Sequence, residues 1–270
     1  MKPFLQQLNQ VNPPLYAFGW VCLLGAGLCL VLTQLTHTQV MGVNAWYKPM
    51  KFCLSTTLLV WTMGWYGQYL GRSEAMVAYS WGMIGLLGFE IIYIVLQAGR
   101  GQLSHFNVST PLYAGLYSLM AIAATGASLW TGYIGLLLFR ADLSALPRAY
   151  VWGIYWGIGL FVLFSMQGFA MGGRLTHTIG GPDGSPGLPI VNWSRRYGDL
   201  RIAHFLGMHA LQVLPLLGFY VIRSSRWLVV MSLCYALLTA AVFWQALRGK
   251  PLLPRVNSSD QSPPNRLTSG

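Results

Sequence analysis

The chain has 270 residues, of which 54% are hydrophobic and 9% charged, with a formal net charge of +11 and a mean hydropathy of +0.50. A soluble domain carries about 25% charged residues, so the composition excludes an ordinary soluble globule and fits a chain built for lipid. The positive excess does not point to nucleic acid. The basic residues sit at the ends of apolar runs, where they set topology and meet headgroups, and no nucleic-acid-binding motif accompanies them.

Apolar runs of about 20 residues, the length that crosses a bilayer, recur near 15–35, 50–70, 76–97, 112–139, 148–171, 201–222 and 226–247. The expected fold class is all-α: a polytopic integral membrane helical bundle with seven transmembrane helices over 1–250. A Ser-, Pro- and Asn-rich tail over 251–270 reads as disordered. The first run begins near Leu15 with no A-x-A cleavage signal after it, so it reads as a retained span. Cys22, Cys29, Cys53 and Cys234 lie in apolar segments without a CxxC and read as small buried residues. Thr110 before Pro111, and Ser144 shortly before Pro147, look like helix openings. The fourth run is long enough to expect a tilt, or a kink around Gly126. No internal repeat is visible, which weakens an inverted-repeat transporter.

An odd number of spans puts the termini on opposite sides. Lys2, Arg72, Arg140, Arg148, Arg223 and Arg226 then share the N-terminal side, and the other eleven of the 17 basic residues lie opposite. The positive-inside rule gives an outside N-terminus and a cytoplasmic C-terminus in the cell membrane. Connections on the N-terminal side are terse. The other side carries VNAWYKPMK, QAGRGQLSHFNVSTP and the long stretch 172–198. Loops this long are usually functional or disordered, and this one is stiffened by Pro182, Pro186 and Pro189. It is expected to be an ordered lid.

Polar residues enter the apolar runs in helical register, where they are costly and usually face an interior. Glu90, Tyr93, Gln97 and Arg100 share one helix face. Arg201, His204, Met208 and Gln212 share another, with His209 at its border. Gln167, Met171 and Arg174 form a third stripe, and Lys48, Lys51 and Ser55 a fourth. All four lie towards the long loops, so a polar cavity is expected to open there.

His105, His204 and His209 are the candidate metal ligands, although His204 and His209 are five apart and do not match the i, i+4 zinc pattern. Zinc or iron, or haem b held by histidines from facing helices, would each use them, and proton carriage is a further role open to histidine. Glu90 is a candidate catalytic carboxylate, as ligand or proton handler, and Asp199 is expected to orient Arg201 or an imidazole. Lys48, Lys51, Arg100, Arg174, Arg201, Gln97 and Gln212 are the candidate substrate-binding groups. His37 and His177 read as ordinary loop histidines. GPDGSPG is not a P-loop, since no GK[ST] follows it, and no GxSxG elbow is present.

The functional expectation is a metal- or haem-binding membrane protein, acting as an oxidoreductase or hydrolase on a membrane-soluble substrate. Two alternatives stand beside it: a non-enzymatic carrier or sensor of an anionic solute or lipid, and a structural subunit. The expected partners are the lipid bilayer and an anionic or lipidic small molecule, not nucleic acid.

Overall fold

The computed structural model describes residues 4–71 and 73–253. Most of the expected tail, and Lys2, Arg72, Arg255 and Arg266 of the charge count, lie outside the described residues. Each of the expected apolar runs is helical: α2 (Pro13–Leu35), α3 (Tyr47–Gly67), α4 (Glu74–Gly99), α5 (Pro111–Arg140), α6 (Arg148–Met166), α8 (Leu200–Tyr220) and α9 (Ser225–Leu247). A short amphipathic helix, α1 (Phe4–Val11), precedes them, and α7 (Gly168–Gly172) extends α6 beyond Gln167. Two small hairpins join β1 (Gln39–Val40) to β2 (Val43–Asn44) and β3 (Thr178–Ile179) to β4 (Gly198–Asp199).

Among the described residues, six helical stretches are long and apolar enough to cross a membrane, α6 and α7 counting as one. The run expected at 50–70 is α3, which is not among them. Its 21 residues would reach about 31 Å at 1.5 Å per residue, so length is sufficient. What it lacks is apolar surplus, because α3 faces protein. Cys53, Thr56, Thr57, Val60, Met63 and Tyr66 are all buried against neighbouring helices. By contrast α2 turns Leu24 (70% exposed) and Leu35 (71% exposed) outwards, as a lipid-facing helix should.

The helix openings follow local chemistry. Asn12 caps α2, its side chain accepting from the Leu15 N–H, while its amide donates to Ser80 Oγ on α4 at 2.8 Å. Thr110 caps α5 through the Tyr113 N–H, with Pro111 in the first turn, and α5 runs unbroken through Gly126 to Arg140. Ser144 is not the cap of α6. Pro147 occupies that position, and the Ser144 N–H donates to Asp142 instead.

The most extensive helix pair is α6 with α8, and glycine makes it possible. A Cβ at Gly153 would lie 2.7 Å from Leu214 O, one at Gly157 2.9 Å from Ala210 O, and one at Gly218 2.5 Å from Ala149 O. Each obstacle is backbone, so only glycine lets the helices approach this closely. Pro215 lies inside α8 and supplies no N–H to Leu211 O four residues back. Tyr66 on α3 fills the vacancy, its hydroxyl donating to Leu211 O at 2.9 Å.

Candidate functional site

The long connection between α7 and α8 is tied down along its length. Its roots pair as β3 and β4, and the Leu200 N–H closes onto His177 O at 3.0 Å. Gly198 lies against the end of α9, where a Cβ would collide with Ala246 O. An inner turn is closed by Leu188 N–H to Trp193 O and Asn192 N–H to Leu188 O. Lys51 Nζ donates to Val191 O at 3.1 Å, joining the loop to α3. At the tip, Gly184 approaches the Met41 and Gly42 backbone of the first hairpin, beside a shallow cleft of about 340 Å³ lined by Val43, Tyr47, Pro186 and Asn192.

Two carboxylates hold this loop, Asp183 half-buried and Asp199 buried. Asp183 accepts the His177 backbone N–H, the His177 imidazole at Nδ1 (2.7 Å) and the Thr178 hydroxyl (2.8 Å). Burial acts to raise its pKa, but the hydrogen bonds from His177 and Thr178 outweigh that and hold the carboxyl well below the usual range. Burial likewise lowers the His177 pKa, and the bond to Asp183 opposes this without overcoming it. The pair therefore rests as a neutral imidazole donating to a carboxylate. Asp199, 1% exposed, caps α8. It accepts the Arg201 N–H and the Ser194 N–H, and Arg201 grips it bidentately through Nε (2.9 Å) and Nη2 (2.6 Å). Arg201 also donates to Asn192 O, so it braces the loop onto the start of α8.

Beneath the loop three histidines gather: His105, His177 and His204. The His204 Nδ1 meets Phe164 O at 2.8 Å, reached across the close α6–α8 seam. His105 Nδ1 faces Ser104 Oγ at 3.3 Å. Phe106 packs on His177 with ring centres 4.7 Å apart, and Tyr117 stacks near both Phe106 and His105. Burial drives the His105 pKa well below its ordinary range, and the charges of Lys48, His177 and His204 push the same way. Lys48 is half-buried at this cluster and makes no hydrogen bond or salt bridge among the described residues. Asp183, whose charge reaches it, is already engaged by His177 and Thr178.

The expected site residues thus divide. Lys48, Lys51, Asp199, Arg201, His105 and His204 converge beneath the loop. His209 stands apart: its Nδ1 meets Gln212 Oε1 at 3.2 Å, its ring lies on Phe205, and Gln212 in turn donates to Thr62 on α3. His177, expected to be an ordinary loop residue, takes the place beside His105 and His204. Its signal was the Asp six residues on across a Gly-Gly-Pro turn, a spacing with no secondary-structure period. Gln97 is buried and donates to Leu103 O. Arg174 folds back on Ala170 O, and Arg100 is exposed at the end of α4. Glu90 is 7% exposed on the protein-facing side of α4, with no hydrogen bond or ion pair among the described residues, and is not among the groups whose charge reaches His105.

Among the described residues, no group of three or more His, Cys, Asp or Glu side chains is placed to hold a metal ion. No protein-family model, curated protein or solved structure matches the chain. The helices are those of a multi-pass membrane protein.

Proposed function

We propose that the protein is a seven-span membrane binding protein or carrier for an anionic small molecule, with α3 as the seventh span. The ligand would sit beneath the 173–199 loop. The observation carrying this reading is Lys48: a half-buried lysine with no hydrogen bond or salt bridge among the described residues, within electrostatic reach of Lys51, Arg201 and Asp183 and of His105 and His177. An uncompensated buried cation is costly, and a carboxylate or phosphate ligand would supply the missing charge and acceptors. Neutral His105 and His177 would donate to or take protons from that ligand. The loop, braced by Asp199 and Arg201, would exclude water from it.

The test is a thermal-shift and calorimetric screen of the purified protein against small carboxylates, phosphates and their neutral amides or esters. Anions should bind and neutral analogues should not, and Lys48→Met should abolish the difference. Binding that ignores ligand charge, or survives unchanged in Lys48→Met, would refute the reading.

A second reading keeps a metal or haem group and an enzymatic role on a membrane-soluble substrate. One observation favours it: the Nδ1 atoms of His105, His177 and His204 each face a polar oxygen, the arrangement that orients metal-binding imidazoles. Lys48 beside them disfavours a cation, and the residues are not grouped as a ligand set, so the fit is poor. An absorption spectrum with elemental analysis separates the two. A Soret band or stoichiometric metal, lost in His204→Ala, would replace the anion reading.

A further inference from the structure

A second polar feature lies away from the histidine cluster, on the outer surface between α4 and α5. A groove of about 280 Å³ runs there between the last turns of α4 and the first turns of α5. Ile92, Leu96, Leu112 and Leu116 line its apolar part, and three of them turn outwards, at 62%, 51% and 69% exposed for Ile92, Leu96 and Leu112. Its wall on α4 runs from Phe89 to Arg100, about 16 Å at 1.5 Å per residue. One leaflet of a bilayer core is about 15 Å deep, half of roughly 30 Å. The groove therefore matches a single leaflet in depth and opens sideways into lipid.

Its rim carries charge. Arg100 ends α4 on the loop side, is exposed, and its guanidinium has no hydrogen bond or ion pair among the described residues. Tyr93, two turns deeper on the same face, is 7% exposed, and its hydroxyl has no hydrogen-bond partner among the described residues. Tyr93 stands within electrostatic reach of both Arg100 and Tyr113, across the groove on α5. The cation at headgroup level, Tyr113 in the first turn of α5, and Leu96, Leu116, Ile92 and Phe89 reaching deeper, with the Tyr93 hydroxyl in the wall, form a series from polar rim to apolar floor. That series complements a phosphodiester headgroup joined to an acyl chain.

We propose that this groove is a lateral binding site for one anionic phospholipid. Arg100 engages the phosphate, the Tyr113 hydroxyl donates to a headgroup or glycerol oxygen, and an acyl chain lies against Leu96, Leu112 and Leu116 and reaches the deeper Tyr93. A zwitterionic lipid brings its own ammonium to the same rim and gains less from Arg100.

The experiment uses delipidated full-length protein in detergent and native mass spectrometry. Phosphatidylglycerol and phosphatidylcholine with identical chains are added in competition, with and without excess inorganic phosphate. Phosphatidylglycerol should be retained in preference, phosphate should not displace it, and Arg100→Gln should reduce the preference roughly fivefold. Leu112→Trp, a change at an exposed position, should crowd the trough and lower retention of both lipids. Either variant leaving retention at the parent level would overturn the site, so a failure of Arg100→Gln to fold still leaves Leu112→Trp decisive. Displacement by inorganic phosphate would also overturn it, by showing that no acyl chain is recognised. None of these outcomes depends on the anion site at Lys48.

Discussion

Tyr66 and Leu211 are joined by a hydrogen bond that exists because of a third residue. The Tyr66 hydroxyl donates to Leu211 O at 2.9 Å, the carbonyl that Pro215 leaves without its helical donor. Tyr66→Phe should therefore lower thermal stability by about 1–3 kcal/mol, the cost of an unsatisfied buried carbonyl. Pro215→Ala in the same background restores an N–H to Leu211 O. It should recover part of the loss in a detergent melting curve, whereas a simple packing role for Tyr66 predicts no recovery.

The α6–α8 seam should be intolerant of side chains. At Gly157 a Cβ would lie 2.9 Å from Ala210 O, and backbone cannot rotate away as a side chain can. Gly157→Val is expected to cost about 1–3 kcal/mol or more by overpacking. Gly159, with nothing within 4 Å of its position, should accept the same change with little effect, and paired melting temperatures test the contrast.

Loop docking should weaken in acid. The lowered pKa of His177 means the docked loop prefers the neutral imidazole. Its contribution is complete above the ordinary histidine value of about 6.5 and is lost as pH falls below it. Asp183 is depressed as well, so its contribution persists to lower pH and is lost only below about 4. Limited proteolysis within 173–199 should be slow at neutral pH and speed up near pH 5. His177→Gln should flatten that first rise, and an unchanged rise would refute the assignment.

Asp199 should matter as a carboxylate and not only as a cap. Asp199→Asn keeps an N-cap acceptor but weakens both the bidentate Arg201 grip and the bond from the Ser194 N–H. A stability loss of about 1–3 kcal/mol is expected, as for other charge-assisted hydrogen bonds. Faster hydrogen exchange over 192–201 should accompany it, with the distant α2–α4 contacts unaffected.

Much of the helical plan was readable from residue order, because a bilayer demands about 20 apolar residues per crossing. The Thr110–Pro111 opening was readable too, since a cap and a first-turn proline are local chemistry. The α3 helix was found by length and pattern, yet its Thr56 and Thr57 already marked a helix that faces protein. The α1 helix escaped notice because its stability rests on Leu8 packing under Gly64, a contact between distant segments. Helical register placed Lys48, Lys51, Arg201 and His204 towards the long loops, and in the fold Lys48 lies within electrostatic reach of Lys51, Arg201 and His105. That register failed for His177, whose neighbours are set by a Gly- and Pro-rich turn with no period. His204 and His209 lie five apart along α8 and meet different partners, Phe164 O and Gln212, and nothing in the order of residues showed that His209 would turn to Gln212.

The backbone contact between α6 and α8 has a mechanical consequence. Two rods meshed through glycine notches cannot slide past each other by a fraction of a turn without collision. They behave as a single lever, and the imidazole of His204 is bolted across it to Phe164. Both roots of the covering loop are mounted on that lever, through α7 and β4. Its tip meets the Met41–Gly42 backbone of the first hairpin, and Lys51 ties Val191 to α3. Any displacement of the loop would therefore hinge at those fixed roots and carry His177 with it, while His204 stays on the lever.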